Sequence, residues 1–130
     1  GEHKLAVKLA TTGHQWARKE LPDVDLVTLD EAAACVLEVV QGKADAFVYD
    51  QISIYQFWKK YEDETRPILN PIREESWAIG MRQGETDFHD QVNAFLKEYQ
   101  DKGRFDELAT EFMAEQKTAF ESMGVPFIFH

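Results

Sequence analysis

Two threonines and a glycine stand where the first apolar run of the chain ends. The run KLAVKLA, residues 4–10, has the pattern of a strand, and the segment beginning at Thr11-Thr12-Gly13 has the pattern of a helix. Backbone N–H groups at a helix start lie at the positive end of the helix dipole, so they favour a carboxylate or a phosphate. The hydroxyls add donors, Gly13 allows a close approach, and Lys8 can add a positive charge. The turn is therefore a candidate anion site.

A second polar position, Asp50, follows Tyr49 at the end of the apolar run ADAFVYD, residues 44–50. Its carboxylate could hold an ammonium group by a charge-assisted hydrogen bond. An anion site and a cation site together fit a zwitterion such as an amino acid. Both positions also have an ordinary explanation, because Thr12 and Asp50 are common N-cap residues.

The elements that must position these residues follow from the periodicity of the apolar residues. Helices are predicted between the strands. Thr11 or Thr12 is the expected N-cap of the first helix and Asp30 that of the second, which ends before Gly42. Two longer amphipathic helices are predicted after Gly84, the second of them continuous over residues 104–120. The predicted strands cover residues 4–10, 25–29, 44–50, about 67–69, and 76–81.

Strands that alternate with helices over short connections predict an α/β fold: a mostly parallel sheet of about five strands flanked by helices, followed by C-terminal helices. Ligands of such sheets bind at the carboxyl ends of the strands. That rule selects the turn at Thr11-Thr12-Gly13 and the pair Tyr49-Asp50.

Composition and motifs exclude several classes of function. The 130 residues are 44% hydrophobic and carry a formal net charge of −10, which is unfavourable for binding a nucleic-acid backbone. No segment is apolar enough to span a membrane, and Gly1 to Lys4 lead directly into a strand without a signal peptide. Cys35 is expected to be a buried structural thiol. His14, which follows the turn, could approach a ligand, but we expect a solvated residue of a first helical turn. The histidines lack metal-ligand spacing, so no metal, cofactor or catalytic group is predicted.

The segment from Lys4 to about Glu115 resembles the extracytoplasmic solute-binding proteins of ABC transporters that bind polar amino acids, the solute-binding protein family 3. The likeness covers most of the chain and lies in a set of motifs rather than in any single one. These motifs are LAVKLATTG, DEAAACVLEVVQGKADAFVYD, EESWAIGMRQG and YQDKGRFDELATEFM.

The resemblance implies one lobe of a type II periplasmic binding protein, without catalytic activity. It implies that the turn with Thr11, Thr12 and Gly13 holds the ligand α-carboxylate and that Asp50 holds the α-ammonium. Positions matching Lys8 and Tyr49 can touch the ligand side chain. It further implies a periplasmic or extracytoplasmic location, a signal peptide or membrane association in the precursor, and a membrane permease as partner.

The chain departs from this family in lacking the first of two lobes. Residues 4–75 resemble the second lobe, residues 76–81 a hinge-like strand, and residues 82–130 helices that would pack on the absent lobe. We therefore expect a fragment with half a binding cleft and weak affinity. Homodimerisation or a domain swap through residues 82–130 would cover the apolar helix faces.

Two other functions remain open from the sequence. The same lobe could serve as the ligand-sensing domain of a membrane receptor kinase or chemoreceptor. It could also belong to an enzyme like the cyclohexadienyl dehydratases, although no pattern of general acid and base supports this. The sequence does not identify the ligand, because side-chain selectivity in such clefts depends largely on the missing lobe.

Overall fold

A computed structural model of the protein describes residues 2–127. The chain divides into two compact units, one up to Leu69 and the other from Asn70 on. Within the described part, no helix is both long and apolar enough to cross a membrane.

The first unit is built around a parallel sheet of three strands in the described range. β1 lies in the centre, with the order β2-β1-β3. Leu5 of β1 is opposite Leu26 of β2 on one side and Ala46 of β3 on the other. The elements of this unit are β1 (Lys4–Lys8), α1 (Thr12–Glu20), β2 (Asp25–Leu29), α2 (Ala32–Val40), β3 (Ala46–Val48) and α3 (Gln51–Lys60).

The alternation of side chains along β1 gives the sheet two apolar faces, each covered by a different helix. Leu5 and Val7 pack with Ala17 of α1, and Ala6 packs with Cys35 of α2. Ala6, Val7, Ala17 and Cys35 are fully buried. The α/β class predicted from the sequence is therefore confirmed, with β1 fixed from both sides.

The predicted ends of the helices are partly confirmed. Thr11 is the N-cap of α1, and Gly42 follows the C-terminus of α2 with a left-handed φ of 68°, which glycine adopts without a steric cost. The prediction of Asp30 as the N-cap of α2 is wrong. Glu31 holds that position, and its side chain makes no capping hydrogen bond.

The prediction of five strands is wrong for the described residues. Residues 67–69 and 76–81 are not part of the sheet, and Trp77 leaves 80% of its surface exposed. An apolar run becomes a strand only where a neighbouring strand pairs with its backbone groups. The first strand also ends early, because Ala10 adopts a left-handed φ of 60°.

The second unit contains α4 (Thr86–Asp101), α5 (Arg104–Phe112) and α6 (Ala114–Ser122). The prediction of one continuous helix over residues 104–120 is wrong, since the backbone at Met113 has a non-helical φ of −136° and ψ of 31°. In an unbroken helix, Phe112 and Phe120 would share one face, eight residues apart. The break separates their environments: Phe112 is 72% exposed and Phe120 is fully buried. Residues 128–130 of the predicted C-terminal tail lie outside the described residues.

Candidate functional site

The two candidate ligand-binding positions follow neighbouring strands of the sheet. The turn at Thr11 comes after β1, and Asp50 comes after β3. Val7 of β1 is opposite Val48 of β3 in a parallel register. Both positions therefore lie at the carboxyl edge of the sheet, as the sequence predicted.

The turn after β1 is held together by Thr11. Its hydroxyl donates a hydrogen bond to the Lys8 carbonyl at 2.8 Å and accepts one from the backbone N–H of His14 at 3.3 Å. The hydroxyl proton of Thr11 is thus already used inside the protein. In this conformation Thr11 shapes the turn, and its hydroxyl is not available as a donor to a ligand.

The donors that remain available belong to the next two residues. Thr12 and Gly13 are the first residues of α1, so their N–H groups have no carbonyl one turn earlier in the helix. Within residues 2–127, neither of these N–H groups nor the exposed Thr12 hydroxyl has a hydrogen-bond partner. Three donors therefore lie together at the positive end of the helix dipole, an arrangement that stabilises an anion.

Gly13 allows the start of α1 to lie against the end of β3. A Cβ atom at this position would come within 3.1 Å of the Val48 carbonyl oxygen and 3.3 Å of Val48 Cγ1. Both distances are closer than ordinary van der Waals contact. The absence of a side chain at Gly13 therefore lets the unpartnered N–H groups lie close to the strand that leads to Asp50.

Asp50 occupies the N-cap position of α3 without acting as a side-chain cap. Its backbone carbonyl accepts from the Ile54 N–H at 2.9 Å, but its carboxylate makes no capping hydrogen bond. The residue is exposed, and no ion pair to it is found in the described part of the chain. The ordinary capping explanation for this aspartate thus holds for its backbone only, and the carboxylate is free to receive a cation.

Lys8 and Tyr49 meet at the same edge. The Lys8 ammonium lies 5.9 Å from the centroid of the Tyr49 ring, within the range of a cation–π interaction. The Tyr49 ring stacks on Phe47 with centroids 5.4 Å apart and planes inclined by 16°. Lys8 and Tyr49 belong to adjacent strand ends, so the structure brings these two predicted site residues into contact.

The structure links two residues of the turn, Ala10 and His14, in a contact that the sequence did not predict. Ala10 adopts a left-handed backbone, which is uncommon for a residue with a side chain, and its N–H donates to His14 Nδ1 at 3.3 Å. His14 lies in the first turn of α1, as predicted, and is half-buried. Its spacing of three residues from the N-cap Thr11 is the only signal that could have indicated a role in the turn.

The remaining reactive groups do not assemble a second site in the described residues. Cys35 is fully buried, and burial raises the pKa of its thiol, which disfavours the reactive thiolate. No group of three or more histidine, cysteine, aspartate or glutamate residues in the described part is placed to hold a metal ion. The structural role predicted for Cys35 agrees with its burial.

The fold is that of one lobe of a type II periplasmic binding protein. A crystal structure of a mutant of ArgBP from T. maritima matches with a TM-score of 0.71 and 27% identity, over 86% of this chain and 48% of the other. The structure of the ancestral amino-acid-binding protein AncCDT-1, described as a precursor of cyclohexadienyl dehydratase, matches with a TM-score of 0.66 and 29% identity. That match covers 85% of this chain and 45% of the other.

Among proteins of known sequence, the glutamate-binding protein GluB of Corynebacterium glutamicum is 28% identical over 121 residues. The match covers 89% of this chain and 41% of GluB, so this chain spans about two fifths of that relative's length. No family model matches the sequence. The relatives nevertheless confirm the resemblance to the polar amino-acid solute-binding proteins of family 3.

Proposed function

We propose that the chain forms the second lobe of the substrate-binding component of an ABC transporter for amino acids or similar small zwitterions. The observation that carries this proposal is the juxtaposition at one sheet edge of unpartnered N–H groups, on Thr12 and Gly13, and the free carboxylate of Asp50. The relatives named for amino-acid binding support it.

The chemistry of binding follows from the two charges of the ligand. The α-carboxylate accepts hydrogen bonds from the Thr12 and Gly13 N–H groups and from the Thr12 hydroxyl, at the positive end of α1. The α-ammonium donates to Asp50, and both contacts are charge-assisted. A ligand that lacks either charge loses one of these two contacts. The two contacts together therefore select zwitterions over simple acids and simple amines.

The activity of the whole protein is proposed from the relatives, because the chain spans less than half of GluB. In this proposal residues 4–75 supply one wall of the cleft, residues 76–81 connect the lobes, and residues 82–130 pack on the other lobe. Closure of the cleft would present the ligand to a membrane permease outside the cell or in the periplasm. The function is capture and delivery rather than catalysis.

The proposal is tested by titrating this chain with glutamate, glutamine and arginine while recording its amide NMR spectrum. We expect at least one of these amino acids to shift the amide signals of Thr12 and Gly13, because those N–H groups acquire a carboxylate. The N-acetyl derivative and the C-terminal amide of the same amino acid are matched controls, since each lacks one of the two charges. Absence of any shift at the two amides up to the solubility limit would reject the proposal.

We also propose that this chain by itself, without the other lobe, forms a homodimer through residues 82–130, with exchange of helices as one route. Large apolar side chains on α4 and α5 are exposed, and burying them against a second copy removes them from water. The exposed fractions are 54% for Phe88, 59% for Phe95 and 72% for Phe112.

Sedimentation velocity over a range of concentrations tests the dimer. We expect a mass near twice that of the chain and dissociation on replacing Phe95 by Ser, because that substitution removes apolar area from the proposed contact. Glu111→Ser, on an exposed position of α5, is the control and should leave the dimer intact. A monomeric mass at every concentration contradicts this part of the proposal.

A further inference from the structure

We infer that Lys8 is a specificity-determining residue, and that the ligand is an amino acid whose side chain carries a second anionic group. This inference rests on the proposed function, because it assigns the third charge of the same site. The N–H groups of α1 and Asp50 bind the charges that all amino acids share, so they cannot distinguish one zwitterion from another.

The position of Lys8 ties it to the anion-binding turn. It is the last residue of β1, and its carbonyl accepts the hydrogen bond from the Thr11 hydroxyl at 2.8 Å. Its side chain is half-buried and lies with its ammonium 5.9 Å from the Tyr49 ring centroid. Because Tyr49 precedes Asp50 directly, the ring keeps the ammonium at the edge where the α-ammonium of a ligand would bind.

The ammonium of Lys8 has no carboxylate partner in the described part of the chain. No ion pair within 4.0 Å joins it to Asp50 or to any other described acid. Elsewhere the lysines commonly pair, as Lys43 does with Glu38 and Lys97 with Asp101. A cation held over an aromatic ring without a counter-ion is available to a ligand.

The charges at the edge then specify the charges of the ligand. Two features favour anions, the start of α1 and the Lys8 ammonium, and one favours a cation, the Asp50 carboxylate. An acidic amino acid has two carboxylates and one ammonium, so it matches all three. A neutral side chain leaves Lys8 unpaired, and a basic side chain places a like charge against it.

The likeness to known proteins does not decide this selectivity, because similar proteins are named for glutamate and for arginine. What discriminates is the charge placed beside the α-amino-acid contacts. In this chain that charge is Lys8, and the adjacent Tyr49 ring, stacked on Phe47, limits where the ammonium can move.

The test compares glutamate with glutamine, which differ in side-chain charge and hardly in shape. Dissociation constants are measured by amide NMR titration for the native chain, Lys8→Met and Lys8→Arg. We expect the native chain to bind glutamate at least about 10-fold more tightly than glutamine, because glutamate makes one charge pair that glutamine lacks. Lys8→Met should reduce that ratio to near one by weakening glutamate alone, and Lys8→Arg should retain the preference.

Lys4→Met is the matched control, because it removes the same charge from the opposite, amino end of β1 and should keep the preference for glutamate. Thermal unfolding of each variant verifies that it is folded. The inference is overturned if glutamine or arginine binds the native chain as well as glutamate does, or if Lys8→Met weakens glutamate and glutamine equally. In those cases binding to Thr12 and Gly13 persists and the proposed function stands. If no amino acid shifts those amides, both fail together.

Discussion

Replacing Asp50 by Asn is expected to weaken amino-acid binding by roughly 10- to 150-fold, the equivalent of about 1.5–3 kcal/mol for a hydrogen bond to a charged group. The carboxylate makes no capping bond and no ion pair in the described structure, so its charge is available to the ligand ammonium. Asn keeps the shape and an acceptor oxygen but removes the charge. The dissociation constant from amide NMR titration or calorimetry measures the effect, and thermal unfolding should change little.

The control for this prediction lies on the other neighbour of the central strand. Asp30 follows β2 directly, is exposed at the same sheet edge, and precedes the N-cap of α2. Asp30→Asn changes the net charge of the chain by the same amount, so any general electrostatic effect appears in both variants. The dissociation constant of Asp30→Asn should remain within about 2-fold of the native value, because screened interactions between surface charges are small. Equal losses of affinity in the two variants would show that Asp50 does not bind the ligand.

The features of the site that the sequence predicts are those fixed by local patterns. The apolar runs and the turn residues place three parallel strands and the helices after them, and parallel strands necessarily end on one edge. The sequence pattern alone therefore places Thr11 and Asp50 at the same edge. The contact between Lys8 and Tyr49 also follows once β1 and β3 are neighbours.

The features that the sequence does not predict depend on partners distant in the chain or on rare backbone geometry. The run around Trp77 has the composition of a strand, but composition does not reveal whether another strand is there to pair with it. Met113 carries no glycine or proline signal, so the break between α5 and α6 is invisible in the pattern. Ala10 gives no sign of its left-handed φ, and with it the role of His14 is hidden.

Phe120→Ala is expected to reduce the free energy of unfolding of the segment from Asn70 on by about 3–5 kcal/mol, the usual cost of deleting a fully buried phenylalanine side chain. Phe120 is fully buried in α6, and its ring meets Phe127 edge-on at 5.4 Å. Folded proteins are stabilised by roughly 0.05–0.15 kcal/mol per residue, so some sixty residues supply about 3–9 kcal/mol, and this loss is a third or more of that. Urea unfolding of the full chain and hydrogen exchange of the α6 amides measure the change.

Phe112→Ala makes the same deletion one helix earlier, where the ring is 72% exposed, and should change the stability by less than about 0.5 kcal/mol. The contrast tests the break at Met113 directly. A continuous helix over residues 104–120 would give the two phenylalanines one face and similar costs, whereas the break gives them different surroundings. Similar urea midpoints for the two variants, or greater loss from Phe112→Ala, would contradict the separation of α5 from α6. A large loss confined to Phe120→Ala, with exchange accelerated in α6, would show that this single ring fixes the last helix.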